Sequence, residues 1–191
     1  TSYGAGTSHG PGSVLKASPQ IDLFDLELKT SYEAGYHMLP IPEALLTLNE
    51  ELKEKALKVR EQLEEDGELS ESHRELLKQV NLGCARMTEW VHEQSAQALR
   101  RGQIPAVLGG DHSSPEGNIR AVSEHYKGKI GVLHFDAHAD LRVKYQGFER
   151  SHASIMNNVM NASWKPEKLV QVAIRDFSQE EFNLIRERKD I

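Results

Sequence analysis

The sequence has one cysteine, Cys84, in 191 residues. A lone thiol forms no internal disulfide and leaves no cysteine-based metal site within the chain. Cys84 therefore reads as a small buried apolar residue, which agrees with a reducing compartment. Nowhere do about 20 apolar residues run together, which excludes a helical membrane span. Positive charge is in deficit, with 23 Lys and Arg against 29 Asp and Glu and a net charge of -6. That excludes the basic surface of an electrostatic nucleic-acid binder. Aromatic residues are 6% of the chain, with Gly at 14 and Pro at 7, which excludes collagenous and low-complexity classes. The glycine-rich start, TSYGAGTSHGPGS over 1–13, is not a phosphate loop, because no Gly-Lys-Ser/Thr closes it. It reads as a loop, either on the surface or lining a pocket. The chain begins at Thr1 without a signal-peptide pattern, so a partial chain is expected.

What is present is an ordinary globular mixture, 38% hydrophobic and 27% charged. The length suits a single domain over 1–191 with room for a core. Residues 42–66 predict a helix: Pro42 suits its first position, Leu45, Leu48, Leu52, Ala56, Val59 and Leu63 form one apolar stripe, and Gly67 stops it. Ser72 with Glu75 looks like a capping box for a second helix, striped by Leu77, Val80, Cys84, Met87 and Val91. Together they make a helical hairpin over about 42–101.

Beyond residue 103 the pattern changes. Short apolar runs at 104–108, 130–135 and 169–174 read as strands, separated by helices at 115–126 and, at the end, 178–188. Strands alternating with helices predict an α/β fold with a parallel sheet.

The nine histidines matter for where they fall. In Gly131–Asp140, GVLHFDAHAD, a strand runs into Asp136, His138 and Asp140. Residues two apart in a strand share a face, so Asp136 and His138 point together, and Asp140 joins them if the chain stays extended or turns gently. Mixed carboxylate and imidazole donors suit Mn, Zn or Fe, and ligands of open α/β sheets gather at the carboxyl ends of strands. His134 shares that face but lies deeper, as a packed histidine or one supporting the ligands from behind. A second segment, Gly109-Gly110-Asp111-His112-Ser113, ends another expected strand. If the two strands are neighbours, His112 meets the first group, with Asp111 and Ser113 supporting it.

GGDHS followed by DAHAD resembles the ureohydrolases, the arginase and agmatinase family, and is most similar to agmatinases. The likeness extends to the first 25 residues and to Ser151-His152. It implies a three-layer, mostly parallel sheet with helices on both faces and a pair of Mn2+ ions hydrolysing a linear guanidino compound to urea and an amine. His112 and Asp140 match ligands of one metal, Asp136 the carboxylate that bridges both, and His138 a ligand of the other. His152 falls where the family has a proton-shuttling histidine. The resemblance also implies a homo-oligomer, trimer or hexamer, and a cytoplasmic location.

The family's Ser-x-Asp-x-Asp segment and its downstream glutamate do not occur in these residues, so the chain is expected to be part of a longer one. Arginases carry Asn where Arg142 stands, which disfavours arginine and favours agmatine. Arg142 as a carboxylate binder keeps guanidinobutyrate open, alongside arginine, formiminoglutamate and a non-catalytic family member. Arg142 also suits a plain exposed loop position. A metal-dependent deacetylase would want paired histidines, and a metallophosphoesterase further His- and Asn-bearing segments.

Overall fold

The computed structural model describes residues 6–191. It contains six α-helices, α1 (Gly10–Ala17), α2 (Glu43–Asp66), α3 (Glu71–Arg100), α4 (Glu116–His125), α5 (Ile155–Asn161) and α6 (Gln179–Glu187), and two strands, β1 (Gly131–Phe135) and β2 (Lys168–Val172). The strands pair in parallel, with His134 opposite Gln171 and Phe135 opposite Val172. A parallel pair needs a long crossover, which here carries α5. The pairing continues past β1 as an isolated bridge between His138 and Asp176.

The amphipathic stripes decide how α2 and α3 meet. Ala56, Val59 and Val80 are buried with Phe148, and Leu52, Leu63, Leu76, Leu77 and Cys84 pack around them. Gly67 takes a left-handed φ of 74° and ends α2 through its N–H on Leu63 O, a conformation glycine adopts without a Cβ penalty. Pro42 sits at the N-cap of α2 instead of the first helical position. The cap of α3 is Ser70, not Ser72: its hydroxyl accepts from His73 N, because the helix already begins at Glu71. Glutamine 62 closes the turn by accepting from Ser70 N at 2.8 Å.

α3 and α4 approach backbone to backbone at Gly117. At Gly117 a Cβ would lie 2.2 Å from Thr88 O and 2.7 Å from His92 N, so only glycine permits this approach. Arg120 and His92, with Glu89 and Glu124, tie the two helices at their surface.

The second core gathers Ala139, Leu141, Ile155, Met156, Val159, Met160 and Leu169, with Val132, Leu184 and Ile185 against them. One face of the sheet is thus covered by α5 and α6, while Leu133, Phe135, Val170 and Val172 on the other face are exposed. α6 opens with a capping box between Ser178 and Glu181.

Two further expectations change. The segment 104–108 has no regular secondary structure, and Ile104 is 96% exposed. A strand exists only where a partner takes its backbone hydrogen bonds, and no described strand pairs with this segment. The glycine-rich start is only partly a loop: residues 1–5 lie outside the described residues, Thr7–His9 form a 3-10 turn, and α1 follows with Pro11 in its first turn.

Candidate metal centre

Four side chains converge at the carboxyl end of β1. One donor atom each from His112, His134, Asp136 and Asp140 lies within 4.8 Å of the others. Asp136 and His134 arrive by strand alternation. Asp140 arrives by a turn: its φ of 52° is left-handed, a region that Asp tolerates better than most residues. The turn is held from both sides, since Asp140 O accepts from Met156 N and Asn157 N at the start of α5. Buried Glu181 accepts from Leu141 N at 2.9 Å. The chain therefore bends sharply where a gentle course was expected, and the bend brings Asp140 back over the strand end.

His112 comes from the turn after 104–108, although that segment forms no strand. Asp111 Oδ1 accepts from Ser113 N at 3.0 Å and from the Ser113 hydroxyl at 2.5 Å, and Asp111 O accepts from Ser114 N. This closed turn leaves no room for a Cβ at Gly109, which would lie 2.7 Å from Ser114 Cβ. The 7–10 segment lies across it, with a Cβ on Gly10 3.5 Å from Gly109 O.

Within the cluster, His112 Nδ1 is 2.5 Å from Asp140 Oδ2 and 3.5 Å from Asp136 Oδ2. The hydrogen bond to Asp140 chiefly raises the His112 pKa, against the effect of burial, and the charges of Asp140, Asp136 and Asp111 add to it. Burial works against ionisation of Asp136, but the His138 amide and the flanking His112 and His134 outweigh it and hold its carboxyl below the usual range. Burial, with His112 next, pushes His134 down. The His112 and His134 rings stack with centroids 4.9 Å apart.

His138 is not in this four-residue group. It stands on the other side of Asp136, with Nδ1 3.3 Å from Oδ1, and its Nε2 is 3.7 Å from Asp176 Oδ2. Asp136 thus presents one oxygen to His112 and the other to His138.

His152, in a 3-10 turn over His152–Ser154, is half-buried and meets Tyr145 edge-on at 5.8 Å. Its Nδ1 is buried without a hydrogen-bond partner, and burial lowers its pKa while Asp111 and Asp140 oppose the shift. The helical hairpin holds the loop before it: Asn81 donates to Gly147 O and accepts from Glu149 N. Arg142 lies 5.6 Å from the Tyr145 ring centroid, with its Nε 3.9 Å from Glu181 Oε2.

Gln171 and Asp176 were not foreseen. The only trace of Gln171 in the sequence is a polar side chain inside the apolar run of β2; Asp176 lies beyond the third expected strand.

The donor set fits a divalent cation. Carboxylate and imidazole donors lie within 4.8 Å of one another, partly buried, a mixed oxygen and nitrogen set of the kind that divalent cations take. The sequence profile of the arginase family matches residues 1–190, and the chain belongs to that family. It is 30% identical over 191 residues to N(1)-aminopropylagmatine ureohydrolase from Synechocystis, covering 98% of this chain and 51% of that protein. Over a 76-residue stretch it is 45% identical to the mitochondrial arginase of Medicago truncatula, 40% of this chain and 22% of that protein. A crystal structure of a Clostridium difficile protein assigned as an agmatinase superposes on the whole chain with a TM-score of 0.65 at 22% identity, covering 56% of that chain. The chain thus spans about half the length of the relatives it matches end to end. No helix among the described residues is long and apolar enough to cross a membrane.

Proposed function

We propose that this chain carries the metal-binding half of a ureohydrolase active site acting on a linear guanidino amine of the agmatine type, giving urea and an amine. The observation that carries the reading is Asp136, whose two oxygens face His112 at 3.5 Å and His138 at 3.3 Å. A carboxylate so placed suits a bridge between two cations. His112, Asp136 and Asp140 would hold one ion, and Asp136 and His138 would contribute to the other, with Mn2+ preferred by family resemblance.

Bound divalent cations there supply Lewis acidity and an activated water at neutral pH. Water adds to the guanidinium carbon, the bond from that carbon to the alkyl nitrogen breaks, and the amine departs with a proton. His152 is the group for that proton. It is half-buried, and burial favours its neutral form, so it can take a proton and pass it on. Asp111 and Ser113 hold the turn that aims His112.

Arg142 bears on the substrate. Its cation is already met by Glu181 and the Tyr145 ring, which leaves it less suited to a substrate carboxylate. This favours agmatine or an N-substituted agmatine over arginine and guanidinobutyrate. Two relatives at 30% identity are N(1)-aminopropylagmatine ureohydrolases, which points the same way. By the same family resemblance the protein assembles as a trimer or hexamer and works in the cytoplasm.

The test is urea release by the full-length protein with added Mn2+ from agmatine, N(1)-aminopropylagmatine, guanidinobutyrate and arginine. Urea from the first two is expected. Metal binding without urea from any of the four overturns the reading.

A further inference from the structure

His134 is one of the four residues gathered at the cluster, yet its surroundings argue against a ligand's role. It sits opposite Gln171 in the parallel register. Gln171 Nε2 lies 2.7 Å from Ala139 O and 2.9 Å from His134 Nδ1. A backbone carbonyl only accepts, so the end of the amide facing Ala139 must be its NH2 group. The opposite orientation would place two acceptor oxygens in contact. One N–H goes to Ala139, and the other points at His134 Nδ1, which must therefore offer its lone pair. In a neutral imidazole with an accepting Nδ1, the proton is on Nε2. That Nε2 is buried without a hydrogen-bond partner and faces Asp136 Oδ2 at 3.4 Å.

We propose that Gln171 is a positioning residue that locks His134 as its Nε2–H tautomer, so that the ring presents an N–H to Asp136 and is kept from ligating a metal itself. The anchor for this lock is the Ala139 carbonyl, one residue before the turn that delivers Asp140. A single glutamine thus ties β2, the ring beneath the cluster and the bend at Asp140 together. An N–H behind a ligating carboxylate fixes which lone pair it offers, and such partners typically govern about 10–100-fold in metal affinity. The tautomer follows from the hydrogen bonds alone, while its consequence for metal rests on the ureohydrolase reading.

The test uses full-length protein labelled with 15N in histidine. Long-range 1H–15N correlation spectra of the metal-free protein report which ring nitrogen carries the proton, and His134→Gln assigns the signal. Wild type is expected to show Nε2–H at His134. Gln171→Met keeps the length but removes the donor, and is expected to give mixed tautomers and about tenfold weaker Mn2+ binding by calorimetry. Gln171→Glu can only accept, and is expected to move the proton to Nδ1. Nδ1–H in wild type, which needs no variant to fold, overturns the proposal, as does an unchanged tautomer in folded Gln171→Met. If wild type binds no Mn2+ but shows Nε2–H that Gln171→Met disturbs, this proposal stands and the ureohydrolase reading falls.

Discussion

His112 Nδ1 lies 2.5 Å from Asp140 Oδ2, joining the turn after Gly109-Gly110 to the bend after β1 across 28 residues of sequence. The contact raises the pKa of His112, so in the metal-free protein a proton is favoured where a cation would bind. Ligating histidines must be neutral, and metal binding then displaces that proton. Mn2+ affinity is expected to climb as pH rises from about 6 to 8, with proton release on binding, because His112 gives up its proton above the ordinary histidine value of about 6.5. Calorimetry in buffers of different ionisation enthalpy measures both. Affinity that is flat with pH, with no proton released, contradicts the assignment of His112.

His138 meets Asp136 on the oxygen turned away from His112. If the proposed two-ion site is right, His138→Ala in the full-length protein is expected to lower Mn2+ stoichiometry by one ion while leaving the fold intact, since the side chain is 59% exposed. Metal content after dialysis, with circular dichroism as the control, decides it. Two ions retained in His138→Ala would remove this residue from the site.

Phe148 is 1% exposed and packs between α2 and α3, four residues before His152. Phe148→Ala is expected to cost about 3–5 kcal/mol in unfolding free energy, the usual range for emptying such a site. It is also expected to loosen the loop that carries His152. Denaturant melts give the first quantity, and hydrogen exchange over 145–152 gives the second. A loss below about 1 kcal/mol would mean the hairpin does not clamp this loop.

Asp190 is held well below the ordinary carboxylate range, first by the hydrogen bond from Arg188 and then by that from Lys165. Its backbone also accepts from Leu169 N at 2.8 Å, tying the C-terminal residues to β2. A depressed folded pKa contributes stability that is present above the unfolded value and lost as pH falls through the folded one. Asp190→Asn is expected to melt lower than wild type at neutral pH, with the gap closing only at strongly acidic pH. A gap that is already closed at pH 5 would show that the pair contributes nothing.

The two long helices were legible because each stripe repeats every three or four residues and Gly67 marks where the first must stop. The α6 helix and both strands were legible within a residue or two for similar local reasons. The run at 104–108 had the composition of a strand and is not one, because composition cannot supply a partner. Serine 72 matched the capping pattern, but Ser70, one residue before α3 begins, makes the cap.

The sequence by itself determined the kinds of donor at the site and their spacing: Asp136, His138 and Asp140 at alternate positions after an apolar strand, and His112 after two glycines. These follow from a chain's periodicity with itself, which is local and visible in one dimension. Only the tertiary structure decided who faces whom. The left-handed turn at Asp140 brings its carboxylate to His112, and it separates His138 to the far oxygen of Asp136. Strand register sets Gln171 beside His134. Such pairings are made between segments far apart in the chain, and hydrogen-bond geometry and burial select them only once the strands have met.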